Sequence, residues 1–140
     1  MRPILLAAAV TLCASAAVAA PDPVVGEWLS QDGAGKIALA PCSSNPALLC
    51  GAITWVDPNK PQKDIHNPDQ SQRTRPIVGV MVVKDMKNQG PGKWGGGKVY
   101  DPESGKTYDG KVRAISTDKV HLDGCVLLIG QRQTWTRTTQ

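Results

Sequence analysis

Phenylalanine is missing from this sequence, and only four tryptophans and two tyrosines supply aromatic rings across 140 residues. A chain so poor in rings builds a modest core, and a covalent staple matters more to it than to a larger barrel. Beyond the first twenty residues no apolar stretch approaches the roughly 18 residues of a membrane-crossing helix, which excludes a helical span. Helical periodicity is nearly absent, because glycine and proline interrupt the chain every eight to fifteen residues. Basic runs are absent too. Lys and Arg are scattered through turns, so the net charge of +4 gives no reason to expect nucleic acid as a partner. Neither G-x-S-x-G nor H-E-x-x-H nor a paired-carboxylate pattern occurs, and no catalytic residue is assigned. The two histidines, His66 and His121, lie far apart in sequence, so neither a metal nor a cofactor is expected.

What is present begins with a leader. MRPILLAAAVTLCASAAVAA places one positive charge before an apolar run from Ile4 to Val10, then small residues ending in Ala17-Val18-Ala19. That is the form of a secretory signal over residues 1–19, with cleavage after Ala19 or Ala20. A lipid anchor on Cys13 is the weaker alternative, because Leu12 stands where a lipoprotein signal carries a small residue. Residues 20–140, about 120 in all, then form one exported domain, expected in the periplasm or outside the cell as a soluble monomer.

Three cysteines remain in that domain, and Cys42 and Cys50 bound a short turn-rich segment, PCSSNPALLC. In an oxidising compartment this spacing predicts a Cys42–Cys50 disulfide. Cys125 is left single, and its apolar neighbours in LDGCVLLIG suggest a buried, inert thiol.

Between the breakers lie eight short runs rich in β-branched and aromatic residues: VVGEWLS, KIALA, LCGAITWV, PIVGVMVVKDM, GKVYD, KTYDGKVRAI, KVHLDGCVLLI and QTWTRTT. Even spacing of such runs predicts an all-β sandwich or barrel, and connections too short for crossovers make it antiparallel. Two longer connections stand out, DPNKPQKDIHNPDQSQRTR and KNQGPGKWGGG. Gly105-Lys106-Thr107 ends like a phosphate-binding loop, but position 100 is Tyr where that loop has Gly, and a strand pattern follows where it has a helix. Asp101–Gly105 is instead a five-residue hairpin turn. A connection of that length predicts Tyr100 opposite Lys106 and Lys98 opposite Tyr108, with each ring expected to cover a lysine stem.

The first run carries Gly26-Glu27-Trp28 and the last Trp135-Thr136-Arg137. In a closed up-and-down barrel these runs are neighbours, and Arg137 can stack on Trp28 to seal one end. The arrangement resembles the lipocalin and calycin barrels, whose first strand bears G-x-W and whose last supplies a covering Arg. A closer resemblance spans about Val25 to Arg137. GEWLSQDGAGKIALAPC, LLCGAITWV, DIHNPDQSQRTRPIVGVMVV, WGGGKVYDPESGKTYDGKV and LDGCVLLIGQRQTWTR, in that order, resemble the exported bacterial family called domain of unknown function 2147. The resemblance implies a small envelope protein with a lipocalin-like barrel of about eight antiparallel strands and no assigned activity. Members often carry a further Cys before the closing W-T-R, and its absence from LLIGQRQ leaves Cys125 without a second bridge.

The most polar constellation is DIHNPDQSQRTRP, with Asp64, His66, Asn67, Asp69, Arg73 and Arg75. Two arginines beside a histidine can hold a carboxylate or phosphate, and Asp64 with His66 can serve as acid and base. Equally, Asn67-Pro68-Asp69 is turn chemistry, and the arginines can bridge to Asp64 or Asp69. Trp55 shares a strand face with Ile53, which predicts core; Trp94, amid Gly and Lys, is either a ligand contact or a plug over the barrel end. The leading expectation is a non-enzymatic barrel that binds a small apolar or amphipathic ligand through Asp64, His66, Asn67, Arg73, Arg75 and Trp94. The alternatives are a packed barrel that serves as an envelope interaction or structural protein, and a hydrolase or isomerase built on Asp64, His66, Arg73 and Arg75.

Overall fold

The computed structural model describes residues 10–17, 20–126 and 129–138. Most of the leader's apolar run, Val18 and Ala19 of its cleavage motif, and Leu127 and Leu128 of the seventh run lie outside the described residues. Eight strands follow one another: β1 (Gly26–Leu29), β2 (Gly35–Pro41), β3 (Leu48–Val56), β4 (Met81–Asn88), β5 (Lys93–Asp101), β6 (Lys106–Ala114), β7 (Lys119–Val126) and β8 (Ile129–Arg137). Each pairs antiparallel with the next, and β8 returns to β1 through Trp28↔Arg137 and Leu29↔Thr136, so the sheet closes into a barrel without edges. No helix among the described residues is long and apolar enough to cross a membrane.

Alternation decides what fills the barrel. Along β6, β7 and β8, Val112, Val120, Leu122 and Trp135 are buried, while Lys111, Arg113 and Arg132 between them are exposed. The connections β2–β3, β4–β5 and β6–β7 gather at one end, with both chain termini of the barrel. Here the lumen is solid: Val24, Trp28, Leu39, Leu49, Val83 and Met86 are essentially inaccessible to solvent. Gly97 makes room for this packing, since a Cβ there would collide with the Lys84 carbonyl and crowd Met86.

The seal is built as the ends of the sequence suggest. The Arg137 guanidinium lies 4.2 Å from the Trp28 ring centre and donates to the carbonyls of Pro23, Val25 and Thr117 at 2.8, 3.0 and 2.7 Å. Trp28 in turn donates to Val24 O at 2.9 Å. Gly26 is the residue that permits this: its φ is +141°, and a Cβ would strike the Arg137 guanidinium. On the same end Cys42 and Cys50 are disulfide-bonded across the β2–β3 connection.

Several expectations are corrected. The β5–β6 turn spans four residues, not five, and the register slips by one: Asp101 faces Lys106, Tyr100 faces Thr107, and Val99 faces Tyr108. Neither tyrosine stands opposite a lysine as expected; Lys98 instead faces and pairs with Asp109. Trp55 is not core. Thr54 is an extra residue in the β2–β3 ladder, which passes from Lys36↔Trp55 to Ile37↔Ile53, so the facing inverts and Trp55 lies outside, with Lys36 Nζ 5.6 Å from its ring centre. Cys125 is exposed, because it falls on the outward register of β7 with His121 and Asp123, whatever the hydropathy of its neighbours. Pro76–Val80 is a turn that leads into β4 rather than part of a strand, whereas WGGG lies inside β5 rather than in a loop.

Candidate functional site

At the other end, the β1–β2, β3–β4 and β5–β6 connections border a cavity of about 530 Å³. Its lining is apolar within the barrel, with Ile37, Ile53, Val99, Leu122 and Trp135, and mixed at the rim, with Asp32, Lys60, Lys63, His66, Asp101 and Glu103. Trp135, near the end of β8, stands where the solid core ends and the cavity begins, and its Nε1 donates to Gln133 Oε1 at 3.0 Å. Hence one barrel is packed at one end and hollow at the other.

The β3–β4 loop forms one wall. It folds back on itself through Asp64 N to Arg75 O at 3.1 Å and Ile77 N to Gln62 O at 3.0 Å, with a single 3₁₀ turn at Gln70–Gln72 capped by Asp69. Asp64 fastens it to the barrel. Its carboxylate is 1% exposed, and both oxygens are engaged: Tyr100 Oη donates to Oδ1 at 2.6 Å, while Asn67 Nδ2 at 2.9 Å, Arg75 Nη2 at 2.7 Å and Arg75 Nε at 3.0 Å converge on Oδ2. Burial opposes the charge on Asp64, but the hydrogen bonds from Tyr100, Asn67 and Arg75 outweigh it and hold its pKa below the usual carboxylate range. Burial, followed by the bond to that carboxylate, pushes the Tyr100 phenol up to about 12. Ion pair and hydrogen bonds together make a fully satisfied node, which is the arrangement a buried charge requires.

The sequence-derived candidates thus separate. Asp64, Asn67 and Arg75 meet in the node, and Arg73 supports it by donating from Nε to Asn67 O at 2.7 Å. His66 is exposed at the cavity rim, and its imidazole forms no hydrogen bond with Asp64 among the described residues. The His66 carbonyl packs so closely on Gly105, at φ +71°, that no Cβ fits there. Trp94 is corrected: it is 8% exposed near the β4–β5 connection, among the core residues of the sealed end and away from the mouth. Tyr100 was missed as a site residue, and so was the cavity's aliphatic lining. The signal for the lining was there, in the inward alternation of β2, β6, β7 and β8; for Tyr100 the one-residue turn length decided the outcome.

Comparisons place this geometry among known proteins. The family model described as an uncharacterized protein conserved in bacteria, DUF2147, matches residues 26–137. Among curated proteins none matches the chain. A solved structure from the human pathogen Helicobacter pylori, described as belonging to the lipocalin family, superposes with a TM-score of 0.73 at 22% identity, over 84% of each chain. At that identity the likeness concerns the fold.

Proposed function

This chain belongs to the bacterial DUF2147 family, and on that premise we propose that it is a non-enzymatic binding barrel of the cell envelope, which takes up a small, partly apolar ligand at its mouth. The observation that carries the proposal is the cavity of about 530 Å³, within the usual ligand-pocket range of roughly 300–1,000 Å³ and lined by aliphatic side chains with a polar rim. An apolar portion of the ligand lies against Ile37, Leu122 and Trp135, and a polar portion stays at the rim near Lys60, Lys63 and His66. A fully packed barrel would have no such space.

The acid and base alternative loses support because Asp64 already holds four donor contacts and is aimed at Tyr100 and Arg75, not at His66. The disulfide and the N-terminal leader pattern support export to an oxidising compartment. The test is uptake of an environment-sensitive apolar dye by wild type and by Leu122→Trp, which fills the cavity from its wall. Wild type is expected to take up the dye and L122W to lose most of that uptake while keeping its fold. Equal uptake by both would remove the cavity from the account.

A further inference from the structure

Cations gather on the outer wall of β4, β5 and β6 in a way that neither cavity nor seal requires. Lys84 and Lys87 on β4, Lys93 and Lys98 on β5, and Lys111 and Arg113 on β6 are all exposed. The register makes them neighbours: Lys84 stands directly opposite Lys98, Lys93 directly opposite Arg113, and Lys87 and Lys111 flank Gly95 from the two sides. Exposed Gly96 adds no side chain at the centre of the group. Lys98 pairs with Asp109; the other five make no salt bridge among the described residues. On the opposite wall, β1, β2 and β3 carry only Glu27 and Lys36 as charged residues. Strands β4, β5 and β6 together carry seven basic residues against three acidic ones, Asp85, Asp101 and Asp109, so positive charge is in excess on this side.

Like charges directly opposite one another on paired strands repel, so this wall carries a local penalty that an external anionic surface relieves. The patch is about 10 Å across, two strand spacings, and about 17 Å along β5, which makes it a shallow area rather than a groove. No exposed aromatic ring stands among the cations, since Trp94 is buried, so the wall offers no stacking platform for nucleic-acid bases. Five of the six are lysines, whose compact, mobile charges suit diffuse attraction better than two-pronged recognition of one group. We infer that this wall docks reversibly on a lipid bilayer rich in anionic head groups. None of the six cations lines the cavity, so docking leaves the mouth free.

The experiment is sedimentation of the purified protein with vesicles of phosphatidylcholine alone and with about one-third phosphatidylglycerol, at low salt, since electrostatic attraction is screened at high salt. Binding is expected only to the anionic vesicles and only at low salt. Each lysine near such a surface adds roughly fivefold to partition, so K93E/K111E should bind at least about tenfold more weakly. The variant Q31E/K36E/A40E changes net charge by the same amount on the opposite side, outside the cavity lining, and should bind nearly as wild type; circular dichroism checks that both variants fold. Equal binding to neutral vesicles, no binding to anionic vesicles, or equal loss in the two variants would each overturn the inference. A protein that binds soluble polyphosphate but not the anionic vesicles would overturn it as well.

Discussion

At its sealed end the barrel is held by an aromatic ring under a guanidinium, a disulfide and a solid aliphatic filling, whereas at its mouth a buried carboxylate carries a long loop beside an open cavity. The sealed end needs no water and little polarity: Trp28 is fully buried, and Arg137 spends its donors on three backbone carbonyls. The mouth achieves order without a solid core. Asp64 meets Tyr100 from the β5–β6 side and Asn67 and Arg75 from its own loop, so one residue ties loop to barrel. Apolar packing tolerates no vacancy, while a hydrogen-bonded node can hold a wall in place beside one.

The largest effect is expected where the seal is struck. Trp28→Ala removes a fully buried ring and should cost about 3–5 kcal/mol, read as a lower denaturant midpoint with an unchanged slope. Asp64→Ala leaves Tyr100 and Arg75 without their acceptor and should cost about 2–3 kcal/mol, less than a wholly buried pair because Arg75 is partly exposed. It should also increase amide exchange in residues 57–80 while β1 and β8 keep their protection. If exchange rose equally at both ends, the two regions would not be independent.

Replacing both Cys42 and Cys50 by Ser comes next, at about 2 kcal/mol for so short a loop, seen as a lower melting temperature with the mouth unaltered. The smallest effect is a pH dependence. Because the Asp64 pKa is depressed in the folded state, its stabilisation is present above the unfolded value of about 3.9 and is lost as pH falls through the lower folded value. Stability of wild type should fall through that acid window more steeply than that of Asp64→Asn, which lacks the titrating group. Identical acid profiles would mean that the node does not carry this linkage.

Much of the sealed end was legible in the sequence, because its parts are local or terminal: Gly26 and Trp28 in one strand, Arg137 in the last, and two cysteines eight positions apart. The eight strands were legible from period and punctuation, although their facing was not always so. A single extra residue at Thr54 turned Trp55 outward, and a turn one residue shorter than expected moved Tyr100 onto Asp64. Side-chain period in a strand is two, so one residue reverses every such inference downstream. Cys125 shows the reverse case: alternation alone would have placed it outside, and local hydropathy misled. The cavity was not legible, because its volume depends on how Ile37, Ile53, Leu122 and Trp135 meet across strands distant in sequence.

The central claim, that the hollow end holds a ligand, is tested most directly by native mass spectrometry of the protein purified gently from its own host, followed by denaturation to release what it carries. The account predicts a one-to-one complex that releases a small molecule with a substantial apolar part. A protein that flies empty, and that stays empty after incubation with a panel of neutral and charged amphiphiles, would contradict it.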